Sequence, residues 1–571
     1  MTSPLRDAYA DRAIPHVARI LSLQDRNPFS PTYGSFNRTY WLDKTDDFPN
    51  ALPQFAVHTL AMVYKHAFPG NLYQGKVKVR EWAIAGMDYW ASIQHKEGSF
   101  DEFYPYERGW VGPSAFTTYA VLEAYHLLKD EMPEPVAQRV LEAARKAALF
   151  IAKGEKEQDL LANHHAMACL AVWKAYEALG EPTLKAGFER LFEGFLRYHD
   201  KEEGWSVEYD GVDPGYLSAT VSFLGKVYQT NSDPAIRDVI TRSAEFCSYF
   251  AYPNGFYAGS LGSRNTMHFY PHGFEVLARE SPVATAVAEH NLEALSQGKL
   301  VPPEIMADRY LFYRVPELLL AYLDYTPRPS SLPPLPCRQP PTSRYFPGAR
   351  VFAATTETHY VAANLAKGGV VKVFDKASGN LVLNDCGLLA RLENGRVATS
   401  QWIDPSYQCQ TNGLTWEVSG HLNAVPSNKL FSPMKTIIFR SALIAVGWNP
   451  RLAHIMKGRI RKSLMLGQRP VPLAFKRNFR IEGGTAILED ELHLEGNHKI
   501  AALSVGDEFF VRYVPQSRYF QAQELDIQGY PITAQDIAAL NREKRLVIRR
   551  AVALTTPNSS VHQQLRNQAS S

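Results

Sequence analysis

The residues whose types and spacing bear on chemistry fall in three stretches. Asn163, His164 and His165 open an apolar run that ends at Tyr176. Asn163 reads as a helix N-cap, since its side-chain oxygen can accept from a free N–H of the first turn. The two imidazoles then sit at the mouth of a helix, with His165 expected to support the fold. Tyr216 closes the tract Glu208-Tyr209-Asp210-Gly211-Val212-Asp213-Pro214-Gly215. Arg264, His268, Tyr270 and His272 make the third stretch. Amide, imidazole, phenol and guanidinium are the groups needed to take a proton from the carbon next to a carboxylate. The amide or guanidinium binds the carboxylate and stabilises enolate-like charge. A Tyr or His removes the proton, and a Tyr or His returns one to the leaving oxygen. A uronic acid in a polysaccharide is such a substrate, and elimination across its 4,5-bond is the reaction.

These stretches are joints between helices. From about residue 51 to 325, apolar residues recur at spacings of three and four, as in Val136–Ile151 and Ala235–Phe250. The joints beginning at Gly98, Gly204 and Gly255 look alike: Gly and an aromatic, then polar residues, then Gly or Pro before a helix. With the Asn163 joint they recur about every 50 residues, the length of one helical hairpin. Hairpins stacked in a ring, an α/α toroid, would gather the joints on one concave face. The expected architecture is therefore multidomain, α and β: residues 1–325 form an α/α toroid as an incomplete barrel, and an antiparallel β-sandwich follows. Residues 326–348 are Pro-rich and read as a linker. Beyond them the apolar period becomes two, which marks an antiparallel β-sandwich over 349–560, with a polar tail at 561–571. A basic helical insertion interrupts it at about 432–466.

The 571 residues are too many for one core. A net charge of +3 gives no reason to expect nucleic acid. Aromatics at 12% suit sugar-binding clefts as well as large cores, and Tyr104, Trp110 and Trp205 are candidates to stack on sugar rings. Five scattered cysteines with no CxxC pair point to neither a disulfide framework nor a zinc cluster, and no metal or cofactor is expected. His268 and His272 stand four apart, but Pro271 between them argues against a shared helical face that would hold a metal. The N-terminus carries charges throughout and has no apolar core of signal-peptide length, so a cytoplasmic location is expected.

The Asn163-His164 pair opening a helix, the acidic-Gly tract that ends in Tyr216, and the interval between them resemble the heparinase II/III-like polysaccharide lyases. That family joins an α/α toroid to an antiparallel β-sandwich. The resemblance implies that Asn163 neutralises the uronate carboxylate. It implies that His164 binds that carboxylate or serves as base, and that Tyr216 is general acid, base or both. The family usually brings a further His from the start of the β domain, within a His-rich tract. Here that region offers His359 alone, so either His359 serves or His268 or His272 takes the role from the toroid. The expected site is thus Asn163, His164, Tyr216 and His268 for catalysis. Arg264, His272, Tyr270, Trp110, Tyr104, Trp205 and His359 would bind an anionic polysaccharide or oligosaccharide.

Other functions use the same parts. A uronyl C5-epimerase makes the same abstraction and returns the proton to the opposite face. A glycoside hydrolase needs two carboxylates roughly 5–10 Å apart, and Asp101, Glu102, Glu208, Asp210 and Asp213 are in suitable joints. A catalytically degenerate glycan-binding protein needs neither. The acid-free basic stretch through 432–480 reads either as a surface for anionic lipid, with work on an exported polysaccharide at the inner membrane face, or as an insertion packed on the sandwich with a solvated basic face.

Overall fold

The computed structural model describes residues 4–103, 111–154, 161–425, 432–447, 467–507, 522–525 and 529–554, with scattered positions between 449 and 459. After α1 (Pro4–Ala13) and two short helices, α2 (Val17–Ser22) and α3 (Arg38–Trp41), the chain alternates between two concentric rings. The inner ring is α4 (Ala56–Lys65), α6 (Gly112–Leu128), α8 (Ala162–Leu179), α10 (Pro214–Tyr228), α12 (His272–Leu277) and α14 (Asp308–Leu323). The outer ring is α5 (Val77–Ser92), α7 (Glu134–Lys153), α9 (Pro182–Leu196), α11 (Pro234–Ser248) and α13 (Pro282–Ser296), completed by α1. Burial explains the division. The outer α7 buries one stripe, Val140, Ala143, Ala144, Ala147 and Ile151. The inner α6 and α8 are buried nearly all round and pack on both faces.

The ring closes, because α14 packs on both α4 and α1. This corrects the incomplete barrel expected from the sequence. Pro316 and the polar Arg309, Arg314 and Glu317 interrupt the apolar spacing of α14. The helix buries Glu317 all the same by pairing it with Lys226 of α10, Nζ to Oε2 at 2.8 Å. A short hairpin, β1 (His199–Asp200) and β2 (Trp205–Ser206), belongs to the toroid.

Two antiparallel sheets follow. The first runs in chain order through β3 (Thr342–Phe346), β4 (Val351–Thr355), β5 (His359–Asn364), β6 (Val370–Asp375) and β7 (Leu381–Asp385). Its first strand therefore starts inside the Pro-rich stretch. Both faces are covered. Val351, Ala353, Tyr360, Ala362, Val370 and Phe374 join the toroid core, while Phe352, Ala354, Val361, Ala363, Val371 and Val373 face the second sheet.

The second sheet is built from β8 (Leu388–Leu392), β9 (Val397–Thr399), β10 (Gln408–Asn412), β11 (Thr415–Ala424), β12 (Pro470–Glu482), β13 (Thr485–Leu494), β14 (Ile500–Val505) and β15 (Arg545–Ala553). Its order is β14-β8-β9-β11-β12-β13-β15, with β10 on β11. The insertion leaves between β11 and β12 and contains α15 (Pro433–Gly447). Residues 470–480 of the expected basic surface are in fact strand β12. Arg477 is fully buried between Asp385 (2.6 Å) and Asp490 (2.5 Å), and Lys476 pairs with Glu417 at 2.9 Å. Residues 555–571, with the expected polar tail, lie outside the described residues.

Candidate active site

Inner helices α6, α8, α10 and α14 present their first turns to one narrow cleft. It is lined by Glu102, Gly112, Phe116, Asn163, His164, Tyr216, Ala219, Phe223, Tyr270, Arg309, Tyr310 and Tyr313. Asn163, His164, Tyr216 and Tyr270 are thus brought together as the joints require. Four helix N-termini around one opening also give it positive partial charge.

Each side chain is held by its neighbours. Asn163 lies inside the first turn of α8 rather than at the cap, which is Leu161. Its side chain instead donates from Nδ2 to Oε1 of Glu208 (2.9 Å), and its backbone N donates to Oε2 (3.3 Å). Burial pushes the Glu208 carboxyl up to about 8, against the lowering effect of the Asn163 hydrogen bonds. The His164 ring stands edge-on to Phe116, centroids 5.5 Å apart. His165 turns away and is buried, with Nε2 2.7 Å from the carbonyl of Leu191.

Tyr216 is on the first turn of α10, which Asp213 caps by accepting from the Tyr216 N–H at 3.1 Å. The other carboxylate oxygen of Asp213 accepts from the N–H groups of Arg264 (2.9 Å) and Thr266 (3.4 Å), so one Asp ties two joints together. The joints interlock closely: a methyl group at Gly262 would lie 2.4 Å from Asp213 Oδ2. Tyr209, Asp210, Ala258 and Asn265 all have positive φ here (54°, 68°, 53° and 57°), conformations that non-Gly residues rarely adopt. Such strain, here in the two joints that carry Tyr216 and Arg264, is often stored at functional sites.

Burial, reinforced by Tyr310, raises the Tyr216 phenol well above its ordinary value, while the charge of Arg264 acts to lower it. Arg264 does not line the cleft wall. It lies behind it, 6% exposed and stacked over the Tyr209 ring at 4.0 Å, and its Nε and Nη1 have no hydrogen-bond partner. A buried guanidinium with unmet donors is costly, and an anionic group would satisfy it.

Several expected residues are elsewhere. His268 is buried behind Tyr310, ring centroids 5.2 Å apart, and burial together with the Arg314 charge pushes it down to about 3. It is neutral and walled off from the cleft, which corrects its catalytic assignment. His272 places Nε2 2.8 Å from Oδ2 of Asp324, at the far end of α14 from Arg309. Fifteen helical residues separate the ends, roughly 20 Å, so His272 is not a substrate ligand of this cleft. It begins α12 while His268 precedes the helix, so the two imidazoles share no helical face.

His359 is on β5, with Nδ1 2.8 Å from Thr358 Oγ1 and Nε2 4.0 Å from Asp375. Strand alternation sends the neighbouring Tyr360 to the toroid, where its hydroxyl donates to the carbonyl of Tyr249, and turns His359 away. Trp205 donates from its indole to Glu203 (2.9 Å), which also holds the N–H groups of Gly348 and Ala349. Glu203 thereby links the toroid to the β domain, and Trp205 is not among the residues lining the cleft. Tyr104 and Trp110 lie outside the described residues.

The sequence reading missed Arg309, Tyr310 and Tyr313, because it did not mark out α14. Arg309 forms an ion pair with Glu102, Nη2 to Oε1 at 2.5 Å. Glu102 is the sole carboxylate of the cleft wall among the described residues. Asp101 is taken up by His95 at 3.0 Å, Glu208 by Asn163, and Asp213 by three backbone N–H groups. Among the described residues, the cleft wall therefore carries one carboxylate and not the pair that a glycoside hydrolase uses. No group of three or more His, Cys, Asp or Glu among the described residues is placed to hold a metal ion.

Residues 67–299 match the family model described as the ulvan lyase N-terminal domain. No curated protein matches the chain. Solved structures with a similar course include a variant of chondroitin AC lyase from Streptomyces coelicolor A3, at 12% identity and a TM-score of 0.48, covering 87% of this chain and 68% of that one. A variant of heparan sulfate lyase HepC from Pedobacter heparinus gives 9% and 0.42, covering 88% and 70%. A variant of unsaturated glucuronyl hydrolase from Streptococcus agalactiae gives 10% and 0.37, covering 56% and 92%. The match over residues 67–299 agrees with the resemblance carried by Asn163-His164 and by the tract ending in Tyr216, both of which lie within it.

Proposed function

We propose that the protein is a polysaccharide lyase that cleaves a uronic-acid-containing glycan by β-elimination. One observation carries the reading: Asn163, His164 and Tyr216 meet in a single cleft, backed by a buried guanidinium with unmet donors. The uronate carboxylate would be bound by the Asn163 amide, which Glu208 holds in orientation. Arg264 supplies the positive charge behind Tyr216. His164 takes the proton from C5, and the electron pair forms the C4–C5 double bond as the C4–O bond breaks. Tyr216 gives its proton to the departing glycosidic oxygen. A phenol raised well above its ordinary value is neutral, which fits it for the acid role. The proton held by His164 then returns to Tyr216.

The elimination yields two fragments without uptake of water, which mass spectrometry distinguishes from hydrolysis. Ulvan heads the substrate panel because the matching family model carries that name. Tyr216→Phe should lose about 100-fold or more in kcat. An aryl leaving group, which departs without protonation, should restore most of that loss. Failure of the rescue would move Tyr216 from acid to base. A C5-epimerase uses the same groups, and exchange of solvent deuterium into C5 without chain cleavage would favour it. An anionic membrane surface is the second partner we propose, on the strength of the basic excursion between β11 and β12.

A further inference from the structure

The helix α15 carries its apolar residues outward. Met434, Ile437, Ile438 and Ile444 are 60–65% exposed, and their spacing of three, four and ten residues from the first sets them along one stripe. Leu443 and Gly447, on the opposite side, are the buried positions. The helix is fastened at that side: Arg440 pairs with Asp47 (3.4 Å) and stands over the Phe48 ring. Leu452 and Ile455 extend the exposed apolar surface beyond the helix. An insertion packed on the sandwich would bury this stripe, so that reading of the segment is set aside. An apolar face turned to water marks an interaction site.

The charge around the stripe identifies the partner. Residues 432–466 contain seven Lys or Arg and no Asp or Glu, and Lys435, Arg451 and Arg459 are exposed. We propose that α15 docks the protein on a bilayer rich in anionic lipid, with the isoleucine stripe at the acyl boundary and the basic residues among the headgroups. Among the described residues no helix is long and apolar enough to cross a membrane, so the contact is peripheral. A second copy of the chain fits less well, because a two-fold contact would press two acid-free basic segments together. A soluble anionic glycan would use the charges and leave the isoleucines in water. The excursion rejoins the sandwich next to the joint that leads to Tyr216. Where the excursion returns, Gln468 donates to the carbonyl of Ile403, whose side chain packs on Gly211 in the joint before Tyr216.

The inference deepens the membrane contact proposed above and does not rest on the elimination chemistry, so each can fail without the other. The test is co-sedimentation of the full chain with phosphatidylcholine vesicles, with and without about one-third phosphatidylglycerol. The protein should pellet with the anionic vesicles, tenfold more than with neutral ones, and high salt should release it. Ile437→Asp combined with Ile438→Asp should lower that binding at least tenfold, while thermal midpoint and activity on soluble oligosaccharide stay unchanged. Should the double variant not fold, Ile444→Asp serves in its place. Recovery of the wild type in the supernatant with both vesicles would overturn the proposal. So would a dimer by light scattering that the double variant converts to monomer, or binding to heparin with no retention on vesicles.

Discussion

Glu208 is the residue whose ionisation bears most directly on the cleft. Burial raises its pKa from the ordinary 4.5 to about 8. Between those values the folded chain keeps a proton that the unfolded chain has released. Stability therefore falls as pH rises through that window, by up to about 1.4 kcal/mol per pH unit. Above about 8 both states have lost the proton and the decline levels off. Thermal melts of Glu208→Gln, compared with wild type from acid to alkaline pH, should lack this decline. The same group touches substrate binding. Ionised Glu208 would set a negative charge against Asn163, where the uronate carboxylate is to bind, so KM of the wild type should climb above about pH 8 and that of Glu208→Gln should stay flat. Arg264→Ala should raise KM at all pH values, because it removes the positive charge that stands behind the cleft. The amide, one imidazole and the phenol were legible from sequence, because a joint between helices can expose only a few such groups. The other imidazoles were not. His268, His272 and His359 have the right chemistry, but packing against Tyr310, pairing with Asp324 and strand alternation take them out of the cleft.

Elements matter here through how closely they approach. At the crossing of α10 and α12, a methyl group on Gly273 would lie 2.4 Å from the carbonyl oxygen of Val221. Gly273→Ala must push α12 outward and carry Tyr270 with it, so both thermal midpoint and kcat should fall. A midpoint equal to wild type would mean that the crossing is looser than described. Lys367, just after β5, donates from Nζ to the carbonyls of Ser260 (2.6 Å) and Gly262 (2.8 Å) and to Asn265 Oδ1 (2.7 Å). One lysine of the β domain thereby clamps the toroid joint that carries Arg264. Lys367→Met should cost about 3 kcal/mol or more in chemical denaturation and lower kcat. The helical hairpins and the alternating strands were legible because their periods differ, 3.6 against 2. The helix α14 was not, because its polar residues are buried by pairing with partners far away in sequence, as Glu317 is with Lys226. Arg309, Tyr310 and Tyr313 went unseen with it, although their close grouping of one cation and two phenols was a signal of its own.

The molecule as a whole offers a positive cleft to the anionic polymer proposed as its substrate. Inner helices open their N-termini onto it, Arg264 and Arg309 add charge, and the first β-sheet seals the toroid from one side. Attraction of this kind is screened by salt, so kcat/KM on a polymeric substrate should fall with ionic strength while kcat holds. The order of toroid and sandwich was legible in the switch of period after the Pro-rich stretch. Ring closure was not, because it depends on α14 meeting α4 across the greater part of the helical half. The most direct measurement of the central claim is absorbance at about 232 nm, where a 4,5-unsaturated uronate absorbs, during incubation of the purified protein with ulvan and other uronate polysaccharides. A rise is expected that vanishes in Tyr216→Phe and falls sharply in Asn163→Ala and His164→Ala. Cleavage that releases fragments without this absorbance, or a rise that persists undiminished in all three variants, would contradict it.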